Sequence, residues 1–193
     1  GPHPLNRAVH ARYLHGMSFT TKPLPEEFPA FYHGYVAKAA GGDMLDAMAI
    51  ASARLHAVLK DAPADLGDRR YAPDKWTVKD VLQHVIDGER IFAYRALRFA
   101  RGDAQELPGY DENVYAPAAL THRRTLADLL HEHDVVREAS VLLFRSFSPE
   151  MLQRGGIANG RPNTVRAIGW TIAGHAEHHT GILAERYLLK PLP

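Results

Sequence analysis

Three histidines, His175, His178 and His179, fall within five residues near the end of the chain, in the run Ile172-Ala173-Gly174-His175-Ala176-Glu177-His178-His179-Thr180-Gly181-Ile182-Leu183. The apolar residues Val165, Ile168, Ile172, Ala176 and Leu183 recur there at the spacing of a buried helix face. A helix turns about 100° per residue, which puts His179 roughly 20° and His175 roughly 60° from the middle of that face. His178 and Glu177 point away from it. Two inward imidazoles at i and i+4 are half of a metal site. His84, at the edge of an apolar face in an earlier helix, is the strongest candidate for the other half. Three protein ligands with an open fourth position are the pattern of a catalytic zinc-type site, although imidazoles without thiolate suit Zn, Ni, Fe or Cu alike. The competing reading is of hydrogen-bonded histidines at bundle edges, and spacing alone leaves both open. Peptidase chemistry is a poor fit, because the zinc-protease motif needs Glu directly after the first His and this chain has Ala176 there.

Other residue types carry weaker signals. Glu89 falls near the centre of the second helix's apolar face, where a bare carboxylate is costly. It fits a partner for a ligand imidazole, a general base, or a structural pair with an Arg from another helix. Arg95, on the His84 edge about three turns along, suits an anionic substrate group or simply snorkels. Asp111, Glu112 and Asn113 lie in a long irregular segment that overhangs a site or holds itself together. Glu89, Arg95 and Asp111 are thus the candidates for catalysis beside the three histidines. His133 reads as a satisfied core histidine. Trp170 faces away from the stripe, towards a neighbouring helix or a dimer interface.

The elements that must position these residues are helical. Pro23 to Pro29 is an extended entry, followed by a short helix through Phe31, Tyr35, Val36 and Ala39 that Gly41-Gly42 stops. Asp43 caps a first long helix carrying Met44, Leu45, Met48, Ser52, Leu55 and Leu59. Thr77 with Asp80 forms a capping box for the second, which Gly102 ends. A crossover from Asp103 to Thr121 then leads to a third helix over about Arg124 to Ser146. Gly155-Gly156 and Asn159-Gly160 mark turns, and Thr164 caps a fourth helix reaching about Leu189. No strand alternation stands out. The expectation is an all-α four-helix bundle with a short N-terminal helix and a long crossover between helices 2 and 3.

Composition narrows the function classes. The 193 residues suit one domain, and contents of 46% hydrophobic and 23% charged residues are those of an ordinary globular protein. No cysteine is present, which excludes disulfides, thiolate ligands and cysteine nucleophiles. A formal charge of +1 makes no case for nucleic acid or an anionic membrane. No apolar run approaches the roughly 18 residues of a membrane span and no signal peptide stands out, so a cytoplasmic location is expected. Residues 1–16 read as an expression-tag remnant, with Gly1-Pro2 a cleavage scar and Met17 the native start. His3, His10 and His15 are set aside with them, leaving 17–193 as a single domain.

Two stretches together resemble the DinB-like (DinB/YfiT) superfamily: Trp76-Thr77-Val78-Lys79-Asp80-Val81-Leu82-Gln83-His84 and Gly174-His175-Ala176-Glu177-His178-His179-Thr180-Gly181-Ile182-Leu183. The resemblance runs from about Phe28 to Leu189, through Leu107-Pro108-Gly109-Tyr110-Asp111 and Ala158 to Val165. It implies an up-down-down-up bundle, often dimeric, with one divalent metal (Zn, Ni or Fe) held by His84, His175 and His179. It also implies parallel second and third helices, which accounts for the long crossover. Similar proteins activate a small thiol such as bacillithiol or mycothiol for transfer to an electrophilic small molecule, or act as metal-dependent hydrolases. Thiol transfer is the first expectation and hydrolysis the second. A metal-binding, stress-associated protein without catalysis is the rival, and a fourth protein ligand would mark it. The expected partners are a small-molecule substrate and a second copy of the chain, with no nucleic acid and no membrane.

Overall fold

The computed structural model describes residues 21–63 and 65–188. The first sixteen residues and the end of the last helix at Leu189 therefore lie outside the described part. The helices are α1 (His33–Lys38), α2 (Met44–Leu59), α3 (Val78–Ala100), α4 (Glu112–Ala118), α5 (Leu126–Arg145), α6 (Pro149–Gln153) and α7 (Val165–Ile182). Helix α7 continues as a π-helical turn over Leu183–Leu188. The core is a four-helix bundle of α2, α3, α5 and α7.

The starts of the long helices follow from side-chain chemistry. Asp43 accepts from the backbone N–H groups of Leu45 and Asp46 at the head of α2. Reciprocal capping boxes, Thr77 with Asp80 and Thr125 with Asp128, open α3 and α5. Thr164 accepts from Ala167 N–H at the head of α7. Gly102, at φ +78°, lets the chain leave α3 in the left-handed region.

Cross-helix pairs give the directions. Gln83 meets Arg124, Arg90 meets Glu132 and Glu89 meets Arg137, so α3 and α5 run the same way. Arg54 meets Glu177, and Met44 lies against Gly169, so α2 and α7 also run together. His84 meets His175 while Trp76 meets Tyr187, so α3 opposes α7. Parallel neighbours need a connection as long as the bundle. The segment between α3 and α5 supplies it and contains α4, with Asp111 as its cap.

The structure is not purely helical. Strands β1 (Gly155–Ala158) and β2 (Arg161–Thr164) form an antiparallel hairpin, Gly155 opposite Thr164 and Ala158 opposite Arg161. Asn159 and Gly160, both at positive φ, make its two-residue turn. Four-residue strands holding two glycines and a proline carry no legible alternation, so only their turn showed in sequence. Leu107 of the crossover pairs alongside: its N–H donates to Ile157 O and its carbonyl accepts from Asn159 N–H, each 2.9 Å.

The core is layered along the bundle axis. One apolar cluster gathers Met48, Phe92, Phe99, Phe144, Ile168 and Ile172, and another gathers Leu55, Leu82, Ile86, Leu129 and Leu183. Polar residues occur between these clusters, Ser52 on α2, Glu89 on α3, His133 and Arg137 on α5, and His175 and His179 on α7, with His84 at the near edge of the second cluster.

Candidate metal centre

The mid-bundle layer brings His84 of α3 and His175 and His179 of α7 together. Their ligand-type nitrogens all lie within 4.8 Å of one another. Ring centroids are 4.6 Å apart for His175 and His179, 4.7 Å for His84 and His179, and 4.8 Å for His84 and His175. The Nε2 atoms of His84 and His175 approach to 2.9 Å. Gly88 makes room, since a Cβ there would sit 3.0 Å from Cε1 of His175. Gly174 likewise lets α1 approach α7, because its Cβ would stand 2.0 Å from Tyr35 O.

Electrostatics keeps the three rings neutral. Burial, then the neighbouring His179 and His84, hold His175 well below the ordinary histidine value. Burial and His84 do the same to His179. Burial lowers His84 as well, against an opposing pull from the Glu112 carboxylate. Neutral imidazoles present lone pairs, and both ring nitrogens of His179 are buried with no hydrogen-bond partner. Orphaned buried nitrogens beside two other converging imidazoles are what a metal would satisfy. The donor set fits the group. Among the described residues, no fourth His, Asp or Glu joins this cluster.

His178 stands outside the triad. Lys38 donates to its Nδ1 at 3.1 Å and the Tyr35 ring stacks 4.9 Å away. Glu177, expected to face out, is instead 4% exposed and paired with Arg54 at 3.2 Å. The correction has a simple cause: α7 packs on α1, α2 and α3 together, so almost no side of it reaches solvent. Trp170 is likewise buried, its indole N–H donating to Thr21 O at 3.0 Å.

A cavity of about 540 Å³ opens on the triad and is lined by His84 and His175. Tyr35 and Phe92 stand 5.4 and 5.8 Å from the His175 ring. Tyr32 and Tyr110 extend the aromatic wall, and Glu112 and Arg95 add charge. Burial raises the Tyr110 phenol to about 12, so it is a neutral donor at ordinary pH. Its hydroxyl oxygen lies 3.5 Å from where a Gly88 Cβ would stand, close to His175.

The remaining sequence candidates separate. Arg95 lines the cavity. Glu89 does not: it is 2% exposed and holds Arg137 through two 2.9 Å bonds. Asp111 is an exposed cap accepting from Asn113 N–H, while its neighbour Glu112 reaches the cavity. Among the cavity residues that the sequence did not single out are Tyr32, Tyr35, Tyr110 and Asn163, which come from the head of α1, α1 itself, the crossover and β2. Only the aromatic density of Phe31 to Tyr35 hinted at them. A second cluster, His56, His133 and Asp134, also falls within 4.8 Å, on the α2–α5 side.

Comparisons bear on this geometry. The family model described as the DinB superfamily matches residues 47–183, a span that holds all three histidines. A solved structure, YfiT from Bacillus subtilis, is similar over 91% of this chain and 100% of that one, with a TM-score of 0.61 and 16% identity. It is described as a probable metal-dependent hydrolase with an unusual four-helix bundle topology. No curated protein matches the chain.

Proposed function

This chain belongs to the DinB superfamily, and we propose that it is a metal-dependent hydrolase of small molecules. The observation carrying the reading is the set of three neutral, converging imidazoles, one with both nitrogens unpartnered, beside a cavity of small-molecule size. His84, His175 and His179 would hold one divalent metal. When bound, it supplies a lowered pKa for a water and a Lewis acid for a substrate carbonyl.

The chain's own residues supply the rest. Glu112 is the cavity carboxylate whose charge acts on His84, which places it to accept a proton near the triad. The Tyr110 hydroxyl is positioned to donate to a substrate oxygen beside His175. Tyr32, Tyr35 and Phe92 exclude water from one wall and pack an apolar substrate body. Three ligand side chains, with no fourth among the described residues, support the open site over a purely structural metal. Hydrolysis is chosen over thiol transfer because the structurally similar YfiT carries that description.

Elemental analysis of protein purified without a metal-affinity step, joined to a screen of ester and amide substrates, tests this. One metal per chain, with hydrolysis that disappears in His84→Ala, is expected. Metal without hydrolysis, but with metal-dependent consumption of a small thiol and an electrophile, would replace the reading with thiol transfer. Absence of metal after reconstitution would sink both.

A further inference from the structure

The charges of the cavity are unevenly placed. Its carboxylate, Glu112, acts on His84 and also on Tyr35 and Tyr110. Its buried cation, Arg95, stands eleven residues further along α3 than His84, about 16 Å by helical rise and within roughly 20° of the same face. Arg95 is 4% exposed, and its only partner among the described residues is Pro108 O, which accepts from Nη2 at 2.9 Å. A guanidinium has five N–H donors, so most of this fork is uncommitted. No carboxylate among the described residues forms an ion pair with it. A buried charge without a counterion is costly unless a ligand supplies one.

Two neighbours strengthen the point. Asn163, 5% exposed, lines the same cavity with its side-chain oxygen buried and unpartnered, an acceptor that calls for an N–H or O–H of a bound molecule rather than its carboxylate. Arg161, on the same strand, adds a second positive charge at the cavity. The backbone is fastened here: Pro108 receives Arg95, and Leu107 is laced to the hairpin. A Cβ at Gly109 would stand 2.3 Å from Oδ1 of Asn159, so the Asn159 side chain of the hairpin turn packs directly on the crossover backbone there.

We infer that the cavity selects small organic acids, with the carboxylate or similar oxyanion bound by Arg95, assisted by Arg161, and the reacting end at the histidine triad. The side chains of Arg95 and His84 both lean towards the N-terminus of α3, and the longer Arg95 side chain reaches further that way than His84 does, so the two ends are closer than the helical rise between their backbones. Tyr32, Tyr35 and Phe92 flank the path between them, so the body joining the two ends is apolar or aromatic. The inference rests on this cavity being the substrate site of the proposed enzyme.

Isothermal titration of the full chain with 4-phenylbutyrate and with its neutral counterpart 4-phenylbutanol tests it, in metal-loaded and chelator-treated protein. The acid binds more tightly than the alcohol, by about tenfold, the loss expected for one charge-assisted pair. That preference persists without metal and disappears in Arg95→Met, whose fold is checked by circular dichroism. Equal affinity for acid and alcohol in the unmodified protein overturns the inference, as does no binding of either. So does a preference that vanishes with chelation, because the carboxylate would then be bound at the triad. Retained acid preference in a protein that never takes up metal would refute the hydrolase reading and leave the anion site standing.

Discussion

The two sides of the mid-bundle polar layer use similar residues to opposite ends. On the α2–α5 side, Arg137 spends its guanidinium on Glu89, Met48 O and Ser52 Oγ, all within the bundle. His56 and Asp134 pair there at 2.7 Å, both partly exposed. Partial burial alone would raise the Asp134 carboxyl, but its bond to His56 holds it below the usual range. On the α3–α7 side, His179 has no hydrogen-bond partner at either nitrogen, and further along α3 Arg95 has no counterion among the described residues. Both sides offer three ligand-type side chains within 4.8 Å. What separates them is whether the polar atoms are already satisfied: a closed set stabilises, whereas an unsatisfied set facing a cavity awaits a ligand. One atom spoils the symmetry, the buried and unpartnered Nε2 of His133.

The largest expected effect breaks the open side. His175→Ala or His179→Ala abolishes stoichiometric metal binding and His178→Ala keeps it, as read by elemental analysis after reconstitution. Metal retained at full stoichiometry in the His179 variant would remove the triad from consideration. Next comes the closed side. Glu89→Gln leaves Arg137 buried without its counterion and costs about 3–5 kcal/mol in denaturant melts. Pairing Glu89→Leu with Arg137→Met recovers much of that loss. A single-variant cost below about 1 kcal/mol would show that the pair does not hold the layer.

The acid response sharpens the contrast further. His133, His175 and His179 are held below the ordinary histidine value by burial. Their unfolded forms bind protons that the folded forms refuse, so metal-free protein keeps its full stability above about pH 6.5 and loses it as pH falls below that. Each such histidine contributes a slope of about 1.4 kcal/mol per pH unit. Urea melts of chelator-treated protein at pH 7.5 and 5.5 read this directly, and equal stabilities would contradict it. The smallest effect is at the surface: His56→Ala changes stability by no more than about 1 kcal/mol and leaves metal stoichiometry unchanged. A lost metal equivalent would mean that the second cluster is also a site.

Much of this was determined by the sequence alone. Apolar periodicity and the Asp43, Thr77 and Thr164 caps located the long helices, because both act within a few residues along the chain. The i, i+4 spacing of His175 and His179 and the edge position of His84 were legible for the same reason. Tertiary structure alone decided that Glu89 meets Arg137 rather than an imidazole, since 48 residues separate them and spacing within one helix says nothing of its neighbour. It likewise buried Glu177, which the periodicity of α7 had turned outwards, because that helix is packed on several sides. The hairpin stayed hidden because its strands are short and poor in β-formers. The cavity, too, exists only where entry, crossover, hairpin and the helices α1, α3 and α7 meet, and no local rule records which of their polar atoms will be left without a partner.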